Sequence, residues 1–262
     1  MYNYHTHTFR CHHAEGVAED YVKIAIAGGI KHMGFSEHIP LLLSNGEQSD
    51  YRVRVEEAEA YCNEVREVSE KYRDYIDIKL GFEMEYYPEC FDQMLEFARR
   101  CGAEYLILGQ HFTKPEDDPS SVYVAVDNSS RELLKEHTDL AVEAMKTGYF
   151  SYVAHPDIFN FWGDEAFYEG EMRRICIASR ETGIPLEINF LGIRCERHYP
   201  NETFWRIAGE EMSPVTFGFD AHSPIDAYDE DSLERALEKV EKYKLNYIGK
   251  PEINDIQLKK RG

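Results

Sequence analysis

The chain has 262 residues, enough for one large domain with a substantial core. Its 29 basic and 49 acidic residues leave a net charge of −20, which argues against nucleic acid or an anionic membrane as partner and is most simply a solvated surface. No stretch is long and apolar enough to span a bilayer, no basic-then-apolar leader opens the chain, and six cysteines without a Cys-x-x-Cys pair fit a reducing, cytoplasmic location.

Short apolar segments that read as strands lie at 2–5, 33–36, 76–83, 105–108, 152–154, 186–190 and 215–219. Between them lie helical patterns at 18–27, 53–73, 89–100, 130–146, 165–181, 202–210 and 232–243. Strands alternating with helices imply a parallel sheet, and seven such units imply a closed α/β barrel, a TIM-like (β/α)7 arrangement in a single domain over 1–262. Cys62, Cys101 and Cys176 lie in or directly beside the helical patterns and are expected to pack. The acidic segment 114–127 reads as an exposed excursion at the barrel mouth and a candidate lid. Lys259, Lys260 and Arg261 read as a solvated tail.

The residues just beyond each strand carry the chemistry. His5 and His7 stand two apart, so on a strand they share a face and can grip one ion. His12 and His13 come soon after, with Cys11 expected as a turn residue. Next come Glu37-His38, then Glu83 and Glu85, then His111, His155, Asn189 with Arg194, and Asp220 with His222. Barrel strands converge with their C-terminal ends at one mouth, where such folds place catalysis. One histidine alone would be an ordinary packed or surface residue. Seven of the eleven, joined by Glu83 and Asp220 at successive strand ends, point instead to a metal-dependent hydrolase. His32, His137 and His198 lack this placement and are assigned to the surface, with His198 kept as a candidate substrate contact.

These motifs together resemble the polymerase and histidinol phosphatase (PHP) superfamily, and closely its bacterial histidinol-phosphatase branch. The resemblance covers almost the whole chain. It rests on His5-x-His7 with His13, Gly34-Phe35-Ser36-Glu37-His38, Gly81-x-Glu83-x-Glu85, His111, His155, Asn189 with Gly192-x-Arg194 and Tyr199-Pro200, and Asp220-Ala221-His222. It implies a distorted seven-stranded barrel with three divalent ions, zinc, manganese or iron, at the C-terminal ends of the strands. His5, His7, Glu83 and Asp220 would hold the first; Glu83 would bridge to a second on His111 and His155; His13, His38 and His222 would hold the third.

The resemblance further implies hydrolysis of L-histidinol phosphate to L-histidinol and phosphate, in histidine biosynthesis, by attack of a hydroxide bridging two ions. Three divalent ions outweigh Glu83 and Asp220, so the mouth would stay cationic in an acidic protein. Arg194 is expected to clamp phosphate, since a guanidinium matches two phosphate oxygens. Asp220, Arg194 and His222 are the expected catalytic groups, though the general acid is open. Glu85 and Asn189 are candidate substrate contacts or partners that orient ligands. Lys114 and Arg10 are further cationic candidates. The partner is a small phosphorylated substrate, with neither nucleic acid nor membrane, and a homo-oligomer is allowed. The alternatives are a phosphoesterase for a nucleotide, sugar phosphate or phosphotyrosine, and a metal-binding module without catalysis.

Overall fold

The computed structural model describes residues 1–258, so the basic tail at 259–261 lies outside the described residues. Eight parallel strands form one sheet in chain order: β1 (Tyr2–Asn3), β2 (His32–His38), β3 (Asp77–Met84), β4 (Tyr105–Leu108), β5 (Phe150–Val153), β6 (Leu186–Asn189), β7 (Pro214–Gly218) and β8 (Asn246–Tyr247). The helices between them are α1 (Ala18–Ala27), α2 (Ala58–Tyr72), α3 (Phe91–Arg100), α4 (Arg131–Thr147), α5 (Glu165–Thr182), α6 (Phe190–Arg194), α7 (Glu202–Glu210) and α8 (Glu230–Tyr243).

The sheet curls until its first and seventh strands meet beyond their ends. Thr6 bridges Ala221 in parallel, His7 N–H donates to the Ala221 carbonyl at 2.9 Å, and Ala221 N–H donates to the His5 carbonyl at 3.2 Å. The seven-strand expectation does not include β8, whose two residues pair with Pro214 and Val215 of β7. At that end Tyr2 reaches across the seam, its hydroxyl 2.9 Å from Thr216 Oγ1 and 3.2 Å from the Tyr247 hydroxyl.

Helix limits reflect local chemistry. Ser130, Asp164, Asn201 and Asp229 each accept a backbone N–H from the first turn of α4, α5, α7 and α8. Such caps satisfy donors that a helix start leaves orphaned. The long pattern at 53–73 divides into a 3-10 turn (Val55–Glu57) and α2, which buries Ala58, Tyr61, Cys62, Val65 and Val68 at helical spacing. Cys62 and Cys176 lie in the core as expected. Among the described residues no helix is long and apolar enough to cross a membrane.

Alternate strand residues share a face, and here the shared face is built in two levels. Lower down, the Tyr105 ring lies over Gly34 and Gly81, where an added Cβ would sit 2.1 Å and 2.3 Å from its atoms. The Tyr105 hydroxyl donates to the Tyr4 carbonyl at 2.8 Å, so an aromatic plug closes this end. Further along β2 and β3 the face turns polar. His38 pairs in register with Glu83, which stands two residues beyond Gly81.

Candidate metal centre

Glu83 is the hub of that polar level. Its Oε2 stands 3.4 Å from His5 Nε2, 3.3 Å from His7 Nε2 and 3.3 Å from His38 Nδ1. Its Oε1 stands 3.0 Å from His155 Nε2 and 3.5 Å from His111 Nε2. Asp220 Oδ1 closes the other side, 3.5 Å from His5 Nε2, 3.6 Å from His7 Nε2 and 3.2 Å from His222 Nδ1. Backbone geometry serves the same end. Gly109 leaves the space that Glu83 fills, since a Cβ there would lie 1.8 Å from Glu83 Oε1. His155 (φ 29°) and Asp220 (φ 46°) adopt left-handed backbone, a strained choice for such residues and one typical of functional sites.

The donor set fits divalent ions. Two ligand atoms each about 2.1 Å from a tetrahedral ion stand about 3.4 Å apart. Most of these spacings match that better than they match hydrogen bonds. Groups of three donor atoms within 4.8 Å of one another are formed by His5, His7 and Asp220, by His5, Glu83 and His155, by His7, His38 and His222, and by Cys11, His13 and His222. Both ring nitrogens of buried His7, and Nδ1 of His38, have no hydrogen-bond partner. Leaving such atoms unpaired in the interior costs about 1–3 kcal/mol each, a cost that coordination removes.

The electrostatics agree. Burial opposes charge on His5, but Asp220, Glu187 and Glu83 outweigh it and hold the imidazole well above its ordinary pKa. His7 is likewise lifted to about 9 against burial, by its interactions with Glu37 and Glu83. Burial would raise the Glu83 carboxyl, yet His38, His111 and His5 hold it well below the usual range. The carboxylates thus favour positive charge at His5 and His7, while burial holds the His38 imidazole well below its ordinary pKa. His13, pushed down to about 4 by burial and by His222 and His7, remains a neutral donor.

Behind the donors stand carboxylates that orient them. Glu187 Oε1 faces His5 Nδ1 at 2.8 Å, and its Oε2 accepts the His155 backbone N–H at 2.9 Å. Glu37 accepts from the Thr8 N–H and hydroxyl while its Oε2 lies 3.5 Å from His7 Nδ1. Glu85 Oε1 faces His111 Nδ1 at 2.9 Å. A carboxylate on one ring nitrogen aims the other at the metal and raises its basicity. The doublet divides: His12 turns outward to Glu57 at 3.7 Å, while the His13 ring centre lies 4.8 Å from that of His222.

Over this floor opens a cavity of about 620 Å³, lined by His13, His38, Glu83, His111, His155, Asp220 and His222, with Tyr51, Phe112, Tyr123, Ile158, Leu191, Arg197 and Tyr199 as walls. The segment 114–127 contributes to it: Tyr123 bridges Phe112, and Val124 N–H donates to the His111 carbonyl at 2.9 Å. It is a flap folded onto the mouth.

The expected substrate contacts are engaged elsewhere. The Arg194 guanidinium donates to the Phe219 carbonyl at 2.8 Å and the Asp220 carbonyl at 2.5 Å, and pairs with Asp226 and Asp229 at 3.4 Å and 3.5 Å. It props the backbone that presents Asp220 and does not line the cavity. Asn189 donates to Glu187 Oε2 at 3.1 Å and to Asp220 Oδ2 at 3.0 Å, and its Oδ1 caps α6. Glu85 is held by His111, Tyr51 and Arg52. His198 bonds the Ile158 carbonyl at 2.7 Å, Lys114 donates to Ser120 Oγ at 2.7 Å, and Arg10 pairs with Glu64 at 2.7 Å.

One surface assignment is corrected. His137 is buried, because it lies on the inner stripe of α4 with Leu134, Thr138 and Ala141, and its Nε2 faces the Gln110 carbonyl at 3.2 Å. His32 stays at the surface beside Asp77. The cation on the cavity wall is Arg197, an exposed residue with Nη1 donating to the Tyr199 hydroxyl at 3.0 Å. No motif of the sequence marks it, whereas the Gly192-x-Arg194 pattern drew the expectation to Arg194.

The chain is 25% identical over 259 residues to the histidinol-phosphatase of Bacillus subtilis, across 85% of this chain and 93% of that one. It is 24% identical over 227 residues to a Deinococcus radiodurans protein named "Probable histidinol-phosphatase", across 84% of this chain and 85% of that one. Its fold is similar, at TM-score 0.67, to that of a Lactococcus lactis histidinol phosphate phosphatase crystallised with zinc, L-histidinol and phosphate, at 19% identity over 94% of each chain. The sequence model of the PHP domain matches residues 3–190, most of the chain and all but two of the donors grouped around Glu83, and the protein therefore belongs to the PHP domain family.

Proposed function

We propose that this protein is a metal-dependent phosphatase that hydrolyses L-histidinol phosphate to L-histidinol and phosphate. The observation that carries the reading is Glu83, one carboxylate faced by five imidazoles at the floor of a cavity sized for a small substrate. The histidinol-phosphatase names of the relatives supply the substrate.

Three divalent ions would be held, one by His5, His7, Glu83 and Asp220, one by Glu83, His111 and His155, and one by His13, His38 and His222. Ions so held would supply Lewis acidity toward phosphoryl oxygens and acidify water to near-neutral pH. The chain's own groups do the rest. Arg197 offers a permanent cation to the phosphate from the wall, and its guanidinium suits a phosphate dianion. Tyr51, Phe112, Tyr123 and Leu191 form an aromatic and apolar wall against which an imidazole ring packs and water is excluded. Arg194, Asn189 and Glu187 act at one remove, fixing Asp220 and His5.

The test is phosphate release from L-histidinol phosphate by zinc- or manganese-loaded protein, beside nucleotide, sugar and amino-acid phosphates. A kcat/KM for histidinol phosphate of about 10⁴ M⁻¹s⁻¹ or more, well above every other ester, is the expected result. Preference for another ester would keep the phosphatase and discard the substrate. Metal-loaded protein inert toward all of them would favour a binding module.

A further inference from the structure

Arg52 is only 1% exposed, yet it reaches no metal donor and lines no part of the cavity. A buried guanidinium is costly unless its charge and its donors are met. Here they are met by three side chains and, at 3.4 Å from Nη1, by the Ile39 carbonyl. Nη1 stands 2.7 Å from Glu85 Oε2, Nε donates to Glu116 Oε1 at 2.7 Å, and Nη2 donates to the Tyr51 hydroxyl at 2.6 Å. Tyr51 in turn donates to Glu85 Oε1 at 3.0 Å, the oxygen that faces His111 Nδ1.

These partners belong to different parts of the site. Glu85 stands just beyond β3 and orients His111. Tyr51 comes from the long connection between β2 and α2, and its ring lines the cavity. Glu116 belongs to the flap that carries Tyr123. A second tie joins the same two connections, from Ser44 N–H to Asp117 Oδ2 at 2.7 Å. Only a planar fork can serve Glu85, Glu116 and Tyr51 together, because the ammonium of lysine is a single point at the end of a flexible stem.

We propose that Arg52 is a positioning residue that locks Glu85 behind His111 and, through Glu116, fastens the 114–127 flap to the metal centre. The inner half of this inference rests on the metal-site reading. Flap position and the aim of His111 Nε2 are then both set by one side chain, so a change at Arg52 itself is felt at both ends, while loss of the Glu116 contact frees the flap alone.

Two variants test it. Arg52→Lys keeps the charge and loses the fork. Zinc affinity, read by chelator competition on protein first stripped of metal, should fall about 10–100-fold, the scale on which orienting partners of metal ligands act. Glu116→Gln leaves Glu85 and Arg52 paired. It should accelerate amide exchange across 114–124 and raise KM several-fold, with kcat and zinc content unchanged. Wild-type zinc affinity in a folded Arg52→Lys protein, or wild-type exchange of the flap in Glu116→Gln, would overturn the proposal. Should Arg52→Lys fail to fold, the Glu116→Gln exchange result decides alone. Zinc affinity and amide exchange need no turnover, so they judge Arg52 even if histidinol phosphate proves not to be the substrate.

Discussion

The floor of the cavity and its wall are built on opposite principles. On the floor, Glu83 and Asp220 meet imidazoles from several connections of the sheet, and further carboxylates stand behind His5, His7 and His111. Glu83 and His38 stand on strands and most of the other donors within a few residues of a strand end, with carboxylates facing His5, His7 and His111. The wall is made of aromatic rings, Ile158, Leu191 and one arginine, Arg197, carried on the connections between strands. Rigid strands suit metal ligands, which tolerate little displacement, while connections can be remodelled around a substrate without disturbing the ions. If this division is right, floor substitutions should cost metal and turnover together, and wall substitutions turnover alone.

The largest effect is expected from Glu83→Gln. The substitution removes the charge that five histidines face, so metal content and phosphatase activity should collapse together, activity by about 10⁴-fold or more. Full metal content with full turnover would show that the floor is organised around some other group. Arg197→Met comes next. It should lower kcat/KM about 10²-fold, the scale of losing one donor to a developing charge, with metal content unchanged. Loss of metal in this variant would erase the distinction between wall and floor. Glu187→Gln sits between the two regions in character and below both in size. Its Oε1 aims His5 and its Oε2 holds the His155 backbone, so zinc affinity should weaken about 10–100-fold, with activity restored by excess zinc. An unchanged zinc titration would reduce Glu187 to packing.

The same division governs how much could be read without coordinates. The floor was legible because its ligands stand at strand ends, and strand ends of a parallel barrel meet whatever the connections do: His5, His7, Glu83, His111, His155 and Asp220 all converge. The wall was not, because a connection must be folded before its residues have neighbours. Arg194 and Arg197 show this within four residues. The strand pattern at 186–190 predicts that Arg194 lies just past a strand end, facing the mouth. Instead Asn189 caps the short helix α6, which turns Arg194 outward to the Phe219 and Asp220 carbonyls. Glu196 then takes a left-handed backbone (φ 50°), and Arg197 lines the cavity. Arg52 was equally hidden, since its worth depends on Glu85 and Glu116 being brought to it from 33 and 64 positions away in sequence. The two-residue β8 has no periodicity to detect.

His137 supplies the control for both regions, and the smallest effect on turnover. It is a buried histidine that belongs to neither, packed on α4 with Nε2 toward the Gln110 carbonyl. Burial holds its pKa down to about 4, against about 6.5 in an unfolded chain. The folded protein therefore binds this proton less readily than the unfolded one does. Stability from this group is intact above pH 6.5 and is lost as pH falls toward 4, at about 1.4 kcal/mol per pH unit and about 3 kcal/mol in all. His137→Gln keeps a donor for Gln110 and removes the titration. Denaturant unfolding of metal-stripped protein should show a flatter acid limb between pH 6.5 and 4, while zinc affinity and kcat/KM at neutral pH stay within about two-fold of wild type. An acid limb as steep as before would mean that protonation of the floor imidazoles alone sets the acid stability. A loss of zinc would mean that His137 supports the adjacent His111 and that the floor extends into α4.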